Sequence, residues 1–159
     1  MAPDHIDPIA PRLELLGHFR AELGEPLELG QTPWGRRRVI PIAGGEFHGP
    51  LLRGTVLAGG ADWQVVHADG AATIDTRYTL QTDDAALISV ATQGVRHGPA
   101  EVLERIAAGE LVSPAEYYFR VSIRYETSES AYGWLNRIVA VASAVRLAST
   151  VLYDAYVVR

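Results

Sequence analysis

Two segments of this chain carry the side chains best suited to chemistry. In the first, Thr73, Asp75, Arg77, Thr79 and Gln81 fall at every second position, and in the second Tyr118, Arg120, Ser122, Arg124 and Glu126 do the same. Side chains of a β-strand point alternately to its two faces, so each set shares one face. Two readings are open. Both sets can be water-facing outer surfaces whose charges pair across strands. Alternatively, one or two of the arginines point into an interior. There a guanidinium would grip a carboxylate, enolate or phenolate oxygen and stabilise negative charge as it develops. On the second reading Arg120 or Arg77 holds an oxyanion, and Tyr118 or Asp62 moves a proton. A tyrosine titrates near about 10 and needs a positive neighbour before it can act as a base.

The aromatic residues supply candidate walls for a binding site. Trp63, Tyr78, Trp134 and Tyr156 offer flat apolar area, each with one hydrogen-bonding atom, and Asn136 could orient a carbonyl. Such a lining suits a small aromatic or polyketide-like ligand, although the same residues also make ordinary core. A cavity of ~300 Å3 or more with converging polar groups would favour a ligand.

Other chemistries find little footing. There is no cysteine, which excludes disulfides and thiolate catalysis. The five histidines, His5, His18, His48, His67 and His97, include no pair spaced two or four apart, so no metal site is expected. His97 sits between Gly94 and Gly98, in what reads as a loop. No nucleophilic-serine, phosphate-loop or dinucleotide motif is present, and no cofactor is expected. Net charge is −5 and the one basic run is Arg36-Arg37-Arg38, which argues against nucleic acid. The N-terminus lacks a signal-like apolar stretch, and no run is long enough to span a membrane as a helix, so a cytoplasmic protein is expected.

The elements that must position these residues are mostly strands. Residues 117–126 alternate without a break, with Tyr117, Phe119, Val121, Ile123 and Tyr125 on the apolar side. Similar patterns cover 13–23, 37–42, 53–57, 62–67, 72–81, 87–93, 132–143 and 151–158. Gly59-Gly60 between two of these runs predicts a tight hairpin, as do Asp69-Gly70 and Asp83-Asp84. Pro99, the stripe Val102, Leu103 and Ile106, and Gly109 predict one helix over 99–109. Ser113-Pro114-Ala115-Glu116 opens a single turn. The expectation is an all-β, mainly antiparallel domain over 12–159. It forms a closed or nearly closed barrel of about eight to ten strands with one short helix, preceded by a loose arm over 1–11. Its apolar faces exceed what one lumen can use, which predicts a homodimer or homotetramer.

Several of these motifs, in order, resemble one known family. They are Gly35-Arg36-Arg37-Arg38-Val39-Ile40-Pro41-Ile42 with Gly44-Gly45, and Gly54-Thr55-Val56-Leu57-Ala58-Gly59-Gly60-Ala61-Asp62-Trp63. Arg77-Tyr78-Thr79-Leu80-Gln81-Thr82-Asp83-Asp84, Tyr117-Tyr118-Phe119-Arg120 and Trp134-Leu135-Asn136 follow. Together they are similar to the uncharacterised family catalogued as domain of unknown function 3237. The resemblance implies a β-barrel, often oligomeric, and no general activity. The chain departs from the family at Ala85, where glycine usually follows the paired aspartates, at Ser128, and at Ala142-Ser143-Ala144. At fold level such barrels resemble cofactor-independent cyclases and isomerases such as allene oxide cyclase and dirigent proteins, an analogy that does not fix function. The resulting expectation is a cofactor-independent cyclase, isomerase or lyase acting on a small hydrophobic oxygenated substrate. The alternatives are a non-catalytic carrier or sensor of such a ligand, and a structural oligomer whose barrel is filled by its own side chains.

Overall fold

The computed structural model describes residues 6–159. Of the expected N-terminal arm, residues 1–5 lie outside the described residues, and residues 6–12 are exposed and carry no regular structure. The strands are β1 (Leu13–Leu23), β2 (Leu27–Thr32), β3 (Gly35–His48), β4 (Gly54–Val66), β5 (Ala72–Thr82), β6 (Leu87–His97), β7 (Tyr118–Glu126), β8 (Val139–Arg146) and β9 (Thr150–Val158). Helix α1 spans Ala100–Ala107, and 3-10 segments cover Pro114–Glu116 and Ser130–Arg137.

The sheet runs β1-β9-β8-β7-β6-β5-β4-β3-β2, and β1 also pairs with β3. Eight strands therefore close into an antiparallel barrel, with β2 outside the ring on β3. Closure removes the open edges that would otherwise invite pairing with other chains. Burial sets which face turns inward. On β5, Ile74, Thr76, Tyr78 and Leu80 are buried, and the intervening Thr73 and Arg77 are exposed. Leu16, Leu80, Ile88, Val90 and Val157 are almost fully excluded from water. Each such side chain stabilises the fold by about 1.5–3 kcal/mol relative to exposure. Phe47, Phe19 and Tyr153 stack in series inside the barrel, with ring centroids 5.0 and 4.6 Å apart. Helix α1 buries Val102 and Ile106 across one end.

Three local expectations are corrected. Gly59-Gly60 does not close a hairpin, because β4 runs through it as one strand. The pairing of β4 with β5 shifts register between Leu57 and Ala61, and that of β3 with β4 shifts between Ile42 and Glu46, around Gly44-Gly45. The glycines make facing bulges that bend the sheet. A Cβ on Gly60 would sit 2.2 Å from the Arg77 carbonyl oxygen, and one on Gly45 2.0 Å from that of Arg20. Second, the strand expected over 132–143 begins only at Val139. Ahead of it Asn136 ties the 3-10 segment back, accepting from Thr127 N at 2.9 Å and donating to Thr127 O at 2.8 Å. Third, residues 27–32, where no strand is expected and whose last residues fall in the stretch 30–35 that reads as a loop, form β2. Leu27 and Leu29 alternate with Glu28, but the strand buries no complete face, so the periodicity is too short to mark it.

Candidate functional site

One end of the barrel interior is apolar, and the other gathers buried polar groups. Asp62 follows the β4 bulge, paired in register with Ile40 on β3 and Thr76 on β5. It is 8% exposed and points into the lumen. Its Oδ1 accepts from Asp75 N at 3.0 Å, and its Oδ2 accepts from Gln64 Nε2 at 3.2 Å. Burial nevertheless pushes its carboxyl above the usual carboxylate range. The hydrogen bonds and the nearby charge of Arg96 pull the other way without cancelling it.

Three arginines converge on the same end: Arg38 from β3, Arg96 from β6 and Arg146 at the end of β8. Burial, reinforced by repulsion from Arg146, lowers Arg96 to about 10, so it stays charged at neutral pH. Burial and the charge of Arg38 lower Arg146 as well. Arg96 stacks over Phe119, its Cζ 5.7 Å from the ring centroid. Yet Arg96 Nε and Arg146 Nη1 are buried and find no hydrogen-bond acceptor. Arg38 Nε lies 2.8 Å from Glu28 Oε1, close enough for an ion pair, but its N–H does not aim at the carboxylate. Gln64 Oε1 is also buried and unpartnered. Buried polar groups are satisfied in the great majority of cases, so a cluster of unsatisfied ones marks a place where something polar belongs.

The lumen cavity beside Asp62 holds about 70 Å3, well under the ~300 Å3 that would enclose a whole small ligand. It adjoins a mouth cleft of about 550 Å3 walled by α1. Arg96 and Arg146 line both spaces. Deeper in, the hydroxyls of Tyr78 and Tyr153 hydrogen-bond each other. Burial raises Tyr78, Tyr153 and Tyr125 above the ordinary phenol range, so all three stay neutral at physiological pH. None is primed as a base.

Of the residues expected to do chemistry, Asp62 and Tyr78 share the lumen; the rest are elsewhere. The inward placement considered for Arg120, Tyr118 and Arg77 is corrected. Apolar Phe119 and Tyr78 turn inward, and alternation forces their neighbours out. Arg120 Nη1 donates to Phe119 O at 2.9 Å, and its guanidinium lies 5.2 Å from the centre of the Tyr118 ring. Tyr118 also stacks on His97, which ends β6 rather than sitting in a loop. Trp63 is 41% exposed on the outer side of β4. Trp134 is half-buried outside the barrel wall, Asn136 is spent on Thr127, and Tyr156 lines an outer groove with Tyr118 and Arg120. Sequence reading missed Arg38, Arg96, Arg146, Gln64 and Tyr153. Arg96 shares parity with Ile88, Val90 and Thr92, and Arg146 with Ala140, Ala142 and Ala144. Extending those two strands by a few residues would have pointed both arginines inward.

Fold and site together define a small closed antiparallel barrel with a buried acid and an arginine cluster at one mouth. The chain belongs to the family described as protein of unknown function (DUF3237), whose model matches residues 11–158. A solved β-barrel-like protein from Acinetobacter baumannii AYE is 48% identical, covers 98% of this chain and 100% of its own, and superposes with a TM-score of 0.87. The conserved protein of unknown function RPA1785 from Rhodopseudomonas palustris is 35% identical, with 96% and 100% covered and a TM-score of 0.92. The hydroalkoxylation enzyme phnH of Penicillium herquei is 27% identical over 84% of this chain and 74% of its own length. A solved structure of an enzyme from Penicillium herquei, at 22% identity and a TM-score of 0.73 over 98% of this chain and 99% of its own, shares the fold.

Proposed function

We propose that this protein is a cofactor-independent enzyme of the cyclase, isomerase or lyase type, acting on a small hydrophobic oxygenated compound at the polar end of the barrel. The observation that carries the reading is Asp62, a buried carboxyl with raised proton affinity facing guanidinium groups whose N–H bonds are unspent. A carboxyl tuned upward by burial is suited to passing a proton at neutral pH. Arg96 and Arg146 would stabilise the oxyanion that forms when the proton leaves oxygen. Tyr78 and Tyr153 would shape the lumen wall as neutral phenols.

The likeness to a hydroalkoxylation enzyme supports a redox-neutral step. In its intramolecular form the proton leaves a hydroxyl for Asp62, a C–O bond closes on an alkene, and the proton returns to the other alkene carbon. Nothing is oxidised or reduced, and product and substrate are isomers. Holding both reacting ends in one conformer lowers the entropic barrier.

The test is incubation with a panel of ortho-allyl phenols, following mass-neutral conversion to cyclic ethers by chromatography, alongside Asp62→Asn. Conversion that falls ~10²-fold or more in Asp62→Asn supports the reading. Conversion undiminished in that variant would remove Asp62 from the chemistry. The small lumen of about 70 Å3 favours one other reading, a structural barrel filled by its own side chains. Native mass spectrometry showing no retained ligand, with no isomer formed, would favour that alternative, whereas a retained ligand without turnover would favour a carrier.

A further inference from the structure

We propose that Arg38, Arg96 and Arg146 form a receptor for a single carboxylate, so that the compound bound at this mouth is a monocarboxylic acid. This rests on the reading of the barrel's polar end as the working site and names the class of its ligand.

Charge is the first argument. At the junction of lumen and cleft, three guanidinium groups face two carboxyls, Asp62 inside and Glu28 beside Arg38. One positive charge is left over even with Asp62 ionised. The rim groups Arg36, Asp69 and Glu104 are exposed, where water and salt screen them. Glu28 is itself exposed and Asp62 holds its proton more tightly than usual, so the surplus is at least one positive charge, which a bound anion balances.

Hydrogen bonding is the second argument. Arg96 Nε and Arg146 Nη1 are donors shut away from water with nothing to receive them. They come from different strands, β6 and β8, and both line the lumen cavity and the cleft. The barrel also holds the three like charges close enough that Arg146 and Arg38 disfavour the protonation of Arg96, and Arg38 that of Arg146. A planar two-oxygen head would take both donors and relieve that repulsion, because guanidinium N–H bonds match carboxylate geometry, and each guanidinium keeps further N–H bonds for the oxyanion.

Space is the third. The lumen cavity is too small for a ring and its substituents, whereas the cleft is large and partly apolar, walled by Val66, Leu103 and Ile106. The body of the acid then lies against α1, with its carboxylate aimed inward at the arginines. Asp62 sits just beyond, so a reacting hydroxyl or carbon must be within a few bonds of the carboxylate.

The test is calorimetric titration with benzoate, benzamide and phenyl phosphate, with thermal melting as a second readout. Benzoate should bind with saturation by ~10 mM, and the neutral and dianionic probes should bind ~10-fold more weakly or not at all. Arg146→Gln should lose ~10-fold or more in benzoate affinity. Should that variant fail to fold, Arg146→Lys keeps the charge without the planar fork and should also weaken benzoate. Arg120→Gln, on the outer wall, should bind as the parent does. Equal binding of benzoate and benzamide, tighter binding of phenyl phosphate, undiminished benzoate affinity in Arg146→Lys, or no benzoate binding would each overturn the carboxylate receptor. Asp62→Asn separates this inference from the catalytic reading. It should keep or tighten benzoate binding, because a negative neighbour is gone, even if it abolishes turnover. Retained benzoate binding with unaltered turnover would sink the role of Asp62 and leave the receptor standing.

Discussion

On the proposed reading Asp62 is both a functional asset and a structural burden. Its two backbone-anchored and side-chain hydrogen bonds hold the carboxyl in place, but burial dominates and raises its proton affinity in the folded state. The native protein therefore binds this proton more tightly than the unfolded chain does. Between the unfolded value of 3.8 and the raised folded value, stability falls as pH rises; above the folded value the penalty is constant. Asp62→Asn retains an oxygen for Asp75 N and removes the buried charge. The variant should be more stable than the parent at pH 7, and that part of the pH dependence should flatten. Urea midpoints measured from pH 4 to 8 check this, and a variant less stable than the parent at neutral pH would contradict the burial argument. Sequence reading names the same residue, with Tyr118, as a candidate to move a proton, but pairs it with Arg120 or Arg77. What makes it special is the arginine cluster, whose members lie far apart in the chain and meet only on barrel closure.

At the scale of elements, periodicity reported well wherever one face of a strand is buried. β1, β5, β7 and β9 came out within a residue or two of their ends because core and solvent impose opposite demands on alternate positions. It failed where that demand is absent or shared. β2 has little to bury, the Gly59-Gly60 pair serves a bulge instead of a turn, and the residues before β8 wind into a 3-10 segment held by Asn136. Those errors matter for function, because a bulge that inserts residues decides whether Asp62 points inward. One departure from the family pattern does register as strain. Ala85, in the turn from β5 to β6, has φ of 69°, and it alone among the described non-glycine residues has positive φ. The turn is held by Ala85 N donating to Thr82 O and Ala86 N donating to Thr82 Oγ1, both at 2.9 Å. Left-handed alanine costs roughly 1–2 kcal/mol, and glycine gives back part of that in unfolded-chain entropy. Ala85→Gly should therefore stabilise the protein by about 0.5–1 kcal/mol without altering the site. A shift of the melting midpoint downward, or none, would show that the hydrogen bonds already absorb the strain.

At the scale of the whole molecule, the expected excess of apolar surface has moved. Tyr117, Phe119, Ile123 and Tyr125 are consumed by the interior of a single barrel and leave nothing for a partner. Among the described residues no helix is long and apolar enough to cross a membrane. The outer wall of β5 and β7 carries Arg77, Arg120, Arg124 and Glu126 to solvent. One stretch of that wall differs. Cross-strand pairing puts Val139 opposite Val158 and Val158 opposite Leu13, with Val141, Tyr156 and Leu15 in the same relation one step along. Val139 is 64% exposed and Leu13 60%, on the two sides of Val158 in an apolar band across β8, β9 and β1. Contiguous apolar area of this kind is costly to leave wet and is characteristic of surfaces that meet a partner. A two-fold or higher symmetric contact between copies would cover it, and the homodimer or homotetramer expected from the apolar strand faces is proposed to form there. Sedimentation at micromolar concentration should show a dimer or larger. The double substitution Leu13→Lys and Val139→Lys should shift it to monomer, since two buried like charges per copy would face each other across the contact. The barrel itself should survive, because neither side chain reaches the core. A parent protein that sediments only as monomer would remove the band's role, and a double variant that stays assembled would place the contact elsewhere on the wall.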